Sequence, residues 1–265
     1  MINVGLDILI ITRKELDELL RNRYIITTMA SFPLIFSIAI PLVFLLTIPM
    51  NLTKGDVSML FSHVPGFDTM TPHQIVIYFL VQSNMPFYLL MPGLMPTMIS
   101  SYSMVGEKKN GTLEPLLATP VSSLDILFGK TLAAVIPSVL ITWTSFFIYT
   151  ILVDVMTIAT FGYPVIPSAI WLVSVFITAP LLAIMSVYAT VLVSSRMTDV
   201  RASQQVSAVI VVPIMVLFVL QLFGMITLDT FSILLVSAGL LVIDVILVKS
   251  GTRLFRREEI LTRWG

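Results

Sequence analysis

Six stretches of this chain, 24–49, 75–104, 131–153, 168–193, 205–226 and 231–248, contain one formal charge among them, Asp244. A helix needs about 20 apolar residues to cross the ~30 Å hydrocarbon core of a bilayer, and each stretch is close to or above that length. Charged residues make up 11% of the chain and mean hydropathy is +1.00, whereas soluble domains carry about 25% charge. The expected fold is an all-α integral membrane protein with six transmembrane helices. Pro33 and Pro41 lie in the first span, Pro137 in the third and Pro213 in the fifth. The second holds Pro86, Pro92 and Pro96 with Gly93 among them, which makes it the span expected to break or bend.

The charges sort by side. With both termini inside, the inner segments hold 14 of the 15 basic residues, and only Lys54 lies outside. The opposite orientation inverts the positive-inside rule. The expected location is the cell membrane, multi-pass, with both termini cytoplasmic. The outer loops carry Asp56, Asp68, Asp154 and Asp229 and are too short for an outer domain. The first apolar run is too long for a cleavable signal and follows a charged segment, so none is expected. The chain reads as one transmembrane domain over 1–265, with no obvious internal repeat.

Residues 8–23 read as an amphipathic helix. Leu9, Leu16, Leu19 and Leu20 fall on one side, and Arg13, Lys14, Asp17, Glu18 and Arg21 largely on the other. Lys14–Glu18 and Asp17–Arg21 are i,i+4 opposite-charge pairs. Such a helix before a span suits the membrane interface. In spans three and four, Ala134, Ser138, Thr142 and Ser145, and Ala179, Ala183, Ser186, Thr190 and Ser194, recur at three- and four-residue spacing. Small residues in such rows serve close helix packing, and the same types would also line a polar pore.

Catalytic patterns are absent. There is no H-E-x-x-H, no G-x-S-x-G and no paired acidic motif. With no cysteine, thiolate metal sites and thiol nucleophiles are excluded. His63 and His73, with Asp68 between them, match no metal-ligand spacing, and no metal is expected. Gly129-Lys130-Thr131 mimics the end of a phosphate-binding loop, but Leu124 stands where that loop needs glycine, so no ATP site is expected in this chain. The rare polar points of the spans, Gln82, Asn84, Gln221 and Asp244, are the candidate transport pathway. Asp244 is the only intramembrane acid, near Lys249 with which it is expected to pair or snorkel. Two alternatives follow from these residues: an ion-driven secondary transporter using Asp244, or a polytopic lipid-modifying enzyme, which would need a polar cluster that Asp199 alone does not supply.

The longest polar interruption is 106–130, GEKKNGTLEPLLATPVSSLDILFGK. Thr112 is placed to cap a short helix with Glu114 and Pro115 in its first turn, ending before Pro120. Ser122 or Ser123 starts the next helix, with Asp125 in its first turn. The residues Glu107-Lys108-Lys109-Asn110-Gly111-Thr112-Leu113-Glu114-Pro115-Leu116-Leu117-Ala118-Thr119-Pro120-Val121, then Ile126-Leu127-Phe128-Gly129-Lys130, resemble the signature between the second and third spans of type 2 ABC transporter permeases. The entry helix, six spans and the tail Phe255-Arg256-Arg257-Glu258-Glu259-Ile260-Leu261 are similar to that family too. Asn110 departs from the charged residue often found before the glycine. The resemblance implies a homodimer or pseudo-dimer of permeases in membrane lipid, docked to separate ABC ATPase subunits that use ATP and Mg. It implies export, no cofactor on this chain, no enzyme activity of its own and no nucleic-acid partner. It also implies that Glu107, Gly111, Thr112, Leu113, Glu114, Leu116, Leu117 and Pro120 couple the chain to the ATPase.

The cysteine-free background makes the charge-derived topology directly testable. A thiol placed at Lys54 is expected to react with a membrane-impermeant maleimide on intact cells. One placed at Lys109 is expected to react only after permeabilisation.

Overall fold

A computed structural model describes residues 4–254 apart from 50, 56, 58–67, 113, 114, 117, 224 and 227. His63, Leu113, Glu114, Leu117 and the tail 255–261 lie outside the described residues. The chain is all-α, with no strand among the described residues. It begins with α1 (Val4–Arg21), then α2 (Arg23–Leu34), a π turn at Ile35–Ala39, and α3 (Ile40–Thr47). Next come α4 (Pro72–Ser83), α5 (Met85–Asn110) and α6 (Ser123–Phe161). Then follow α7 (Ala169–Val173), a second π turn at Ser174–Thr178, α8 (Ala179–Ser194), α9 (Val200–Ser207), a 3-10 turn, α10 (Val212–Leu222) and α11 (Thr230–Leu254). Six helical stretches are long and apolar enough to cross a membrane: Ile25–Thr47, Pro72–Asn110, Ser123–Phe161, Ala169–Ser194, Val200–Gln221 and Thr230–Thr252. One end of the bundle carries α1, the 111–122 connection, the 195–199 turn and the end of α11; it is called the basic face below.

The second span is the hub. Of its most apolar window 72% is buried, against 18%, 24% and 22% in the first, fifth and sixth. It breaks, as expected, at one of its three prolines, the first, where the missing donor interrupts the helix. Pro86 has no N–H to continue the helix. The chain instead closes tighter turns there, Asn84 N–H to the Val81 carbonyl (3.3 Å) and Phe87 N–H to the Asn84 carbonyl (3.2 Å). Pro92 and Pro96 lie inside continuous α5. The helices also outrun the apolar stretches. A full capping box between Thr71 and Gln74 starts α4, and α5 continues to Asn110. At 39 residues, α6 is about 58 Å long and so projects well beyond the ~30 Å core.

Both π turns precede a proline, Pro41 and Pro180. In each, the following N–H reaches five residues back, Ile40 to Ile35 and Ala179 to Ser174. The next carbonyl in line, Phe36 or Val175, would then need the N–H of the proline, which does not exist. A side chain from a neighbouring helix takes its place each time. Asn84 Nδ2 donates to the Phe36 carbonyl (3.3 Å) and Trp143 Nε1 to the Val175 carbonyl (3.0 Å). An orphaned carbonyl in hydrocarbon costs several kcal/mol, so these bonds stitch spans one and four onto spans two and three.

The two small-residue rows are packing surfaces. Ala134, Ser138, Thr142, Ser145, Ala179, Ala183, Ser186, Thr190 and Ser194 are all buried. Ser138, Thr142, Ser145, Ser186 and Thr190 return their hydroxyls to carbonyls four residues back in their own helices. Tyr88, Phe146, Tyr149 and Trp171 form a buried aromatic cluster towards the face opposite the basic one. On the basic side, α1 lies across the start of α6. A methyl on Gly129 would come within 2.7 Å of Ile11 Cγ2 and 3.2 Å of the Ile8 carbonyl, so only glycine permits this approach.

Gly129→Ala is expected to destabilise the protein by about 1–3 kcal/mol by forcing α1 away. Gly106→Ala, where a methyl meets nothing within 4 Å, is expected to stabilise by about 0.5–1 kcal/mol through helix propensity. Thermal melts of the two variants in detergent should therefore move in opposite directions.

Candidate functional site

The connection 111–122 is shaped by its two ends. Helix α5 stops in a Schellman arrangement: Thr112 N–H bonds the Glu107 carbonyl (3.0 Å) and Gly111 N–H the Lys108 carbonyl (3.3 Å). Gly111 has φ +67, a left-handed conformation that glycine adopts without strain. The Leu116 N–H bonds the Thr112 carbonyl (3.2 Å), and Pro115 and Leu116 are helical. The third position after Thr112 is Pro115, which offers no N–H to cap. The Thr112 hydroxyl turns back to the Glu107 carbonyl instead (3.4 Å). Thr119 closes the turn onto the Leu116 carbonyl. Ser122 caps α6, accepting from Asp125 N–H (3.1 Å). Pro115 and Pro120 are exposed, and Leu116 is half-buried against the bundle.

A buried ion cluster fastens these ends together. Lys130, 5% exposed, has its Nζ 2.9 Å from Glu15 Oε1 and 2.8 Å from Glu107 Oε1. Lys14 Nζ lies 3.2 Å from the same two oxygens and 3.0 Å from Glu18. Ser103 donates to Glu15 Oε2 (2.7 Å) and accepts from Lys130 Nζ (2.7 Å). Thr12 adds a hydroxyl bond to the Gly129 carbonyl (3.2 Å). Two cations therefore balance two buried carboxylates drawn from α1, α5 and α6. Burial pushes the Glu15 carboxyl up, but Lys130, Ser103 and Lys14 outweigh it and hold the group below its ordinary value. Lys14 is held above its ordinary value although burial acts the other way, because Glu15, Glu18 and Glu107 surround it.

Of this cluster, the sequence singled out Glu107, expected there to couple to an ATPase, and the Lys14–Glu18 helical pair, which is formed. Glu15 was not singled out. Its signal is its position four residues from both Ile11 and Leu19, an acid on the face that docks. Beside the cluster, α1 and the 111–122 connection wall a cleft of about 900 Å³ reached by Lys14, Arg21, Glu107, Lys109, Thr112 and Leu116. Glu107 Oε2 is buried and unbonded among the described residues. On its other side α1 leaves Leu6, Leu9, Ile10 and Leu20 exposed.

The four pathway candidates separate. Gln82 and Gln221 line one cavity of about 390 Å³ at the face opposite the basic one. Asn84 is committed to the Phe36 carbonyl. Asp244 is buried in α11, and neither carboxylate oxygen has a partner among the described residues. The expected pairing with Lys249 is not formed. Five residues apart on a helix are not neighbours, and Lys249 is exposed. His73 Nδ1 donates to the Pro49 carbonyl (3.3 Å), and the described residues hold no cluster of metal-ligating side chains.

Six apolar helical stretches packed about a buried second span, with the basic residues gathered largely at one face, define a multi-pass membrane protein. The model of the ABC-2 family transporter proteins matches residues 9–249, and the chain belongs to that family. It is accordingly a permease component of an ABC transporter, a membrane transport component and not itself catalytic, from a family that generally partners with an ABC ATPase. No curated protein matches it significantly.

Lys130→Ala leaves Glu15 and Glu107 buried together with one half-exposed lysine. It is expected to cost about 3–5 kcal/mol, more than Lys14→Ala at the exposed end. Differential scanning fluorimetry in detergent compares them. The same experiment against pH has a predicted sign. Because the folded Glu15 value lies below the ordinary 4.5, its contribution is complete above that pH and is lost as pH falls through the lowered value. The raised Lys14 value gives a contribution complete below its ordinary 10.5 and lost above it. Stability from this cluster should be flat between those two limits and fall outside them.

Proposed function

We propose that this chain is the transmembrane subunit of an ATP-driven exporter. Its basic face lies in the cytoplasm, and the cleft between α1 and the 111–122 connection receives an ABC ATPase. The observation that carries the reading is the buried cluster of Lys130, Glu15, Glu107 and Lys14. It makes the entry helix and both ends of the connection one rigid piece, so force applied to the connection reaches α5 and α6 directly. A connection serving only to reverse the chain would not need a four-residue ion cluster costly to desolvate. The charge sorting supports the orientation, and the exposed Leu6, Leu9, Ile10 and Leu20 beside the charged side of α1 suit a helix lying in the membrane interface.

On this reading Glu107, Gly111, Thr112 and Pro120 set the shape of the docking element. Leu113, Glu114, Leu116 and Leu117 supply its contacts. Two copies, or this chain and a second permease, associate in the bilayer and share two ATPases. Those subunits bind and hydrolyse ATP with Mg, and closure of the pair reorients the spans. The weakly buried first, fifth and sixth spans are the surfaces left for lipid and for the second permease.

Affinity purification of the tagged chain from native membranes should bring down a stoichiometric ATPase. Leu116→Glu combined with Leu117→Glu should reduce that recovery by about tenfold or more, while the protein still elutes as a folded membrane protein. Glu114→Arg should leave insertion intact and separate ATP hydrolysis from transport in proteoliposomes. Normal coupled transport by Glu114→Arg would overturn the assignment of this segment.

A further inference from the structure

The cavity shared by Gln82 and Gln221 has features that the coupling reading does not use. It is bounded by the C-terminal half of α4, the outer ends of α10 and α11 and the start of α7, with a volume of about 390 Å³, within the usual ligand range of about 300–1,000 Å³. Three polar atoms of its wall, Ser83 Oγ, Ser168 Oγ and Gln221 Oε1, are buried without a hydrogen-bond partner among the described residues, and Ser83 is 5% exposed. Buried polar atoms in native proteins are nearly always paired with protein, water or ligand, so three around one space mark a place where a polar group is held, and the Gln221 Oε1 among them can only accept. Gln82 is fixed in orientation, because Trp171 Nε1 donates to its Oε1 at 2.9 Å. Phe79, Met85 and Ile226 supply apolar wall.

The charge of the wall selects the ligand. Among the described residues no lysine or arginine lines the cavity, and Asp229, exposed and accepting from Ser232 N–H at the start of α11 (3.0 Å), stands at its rim. The sequence has no basic residue between Arg201 and Lys249, so α10 and the start of α11 cannot present one. A phosphate or carboxylate head would meet Asp229 with no cation to offset it. A head bearing hydroxyls or an ammonium would give donors to Ser83, Ser168 and Gln221, while an alkyl body lay along the apolar wall. We propose that this cavity is a binding site for an amphipathic molecule whose head is uncharged or cationic and rich in hydrogen-bond donors. As a cargo site it rests on the export reading, being at the outer end of the spans on that orientation. As a binding site it does not.

The test needs neither ATP nor the ATPase, so its failure would leave the export reading standing. The full chain carrying Trp264→Phe, which leaves the Trp143–Val175 bond in place, is reconstituted in phosphatidylcholine nanodiscs, and the Trp171 signal is read as the part of the emission missing from a Trp171→Phe control. Bromine-labelled dodecylamine and dodecyl glucoside should quench Trp171 saturably, and bromine-labelled dodecyl phosphate should not. Ser168→Ala with Gln221→Leu should raise the half-saturating concentration of both ligands by about tenfold, the effect of one to two lost buried hydrogen bonds. Gln221→Glu gives a second, opposite readout, with tighter binding of the amine and no gain for the glucoside. If phosphatidylethanolamine in the nanodisc competes, the occupant is a membrane lipid. If it does not, the site is open to exported cargo. Quenching that is linear in concentration and unchanged in every variant would be partition into the bilayer and would overturn the site. Equal saturable quenching by the phosphate would overturn the ligand class.

Discussion

Everything on the basic face depends on one ammonium group. Lys130 Nζ sits between Glu15 and Glu107, buried almost completely, and joins helices that are otherwise connected through a short turn and a long first span. A buried lysine with one acid would be a marginal arrangement, because desolvation offsets most of the attraction. Here the second acid, the second lysine and the Ser103 hydroxyl share the charge, and the cluster closes with two cations against two buried anions. Its cost of assembly explains why so much nearby sequence serves it. Gly129 is small so that α1 can come close, and Thr12 bonds the Gly129 carbonyl at that approach. Gly111 turns the chain just beyond Glu107, so the acid stays on the last turn of α5.

The membrane half of the molecule is governed by proline, for a related reason. In hydrocarbon a missing N–H leaves a carbonyl that water cannot satisfy. At Pro41 and Pro180 the helix widens to a π turn, and a polar side chain from the next helix takes the carbonyl left over. These two bonds, from Asn84 and Trp143, fix the azimuth of their helices more tightly than apolar packing would. They also remove Asn84 from the set of residues free to meet a transported molecule. Gln82, two residues away and on a different helix face, remains at a cavity. Proline-induced defects thus consume some of the few polar side chains in the spans and leave others available.

How much of this was legible in the sequence follows from the same physics. The spans were visible because absence of charge over twenty residues has one strong cause. The start of α6 at Ser122 was readable because serine before a helix acts locally. The far ends of α5 and α6 were misjudged because polar residues such as Lys109 and Asp154 end an apolar run without ending a helix. The break at Asn84–Pro86 was placed among three prolines, since a proline inside a long helix and one that divides it look alike in sequence. The ion cluster was not legible as a unit: Glu15 and Lys130 are 115 residues apart, and only packing makes them partners. Asp244 was assigned to Lys249 by proximity in sequence, which on a helix five residues along is the wrong direction.

The two ends of the second span now carry different chemistry, and their separation bears on mechanism. Glu107 on α5 anchors the ion cluster, while Gln82 on α4 faces the cavity at the other face. Helix α5 spans 26 residues, about 39 Å, and passes Pro92 and Pro96 without interruption, so it moves as a rod. The discontinuity at Asn84 lies between that rod and α4. A displacement imposed at the connection would therefore reach the Asn84 break intact, and there it would be divided. Part would pass to α4 and the cavity wall, and part to the first span through the Asn84–Phe36 bond. A break so close to Gln82, and so far from the ion cluster, would let the cavity change shape without disturbing the proposed docking face. An unbroken helix from Pro72 to Asn110 would have tied the two together rigidly, and the docking cleft would have had to deform whenever the cavity did.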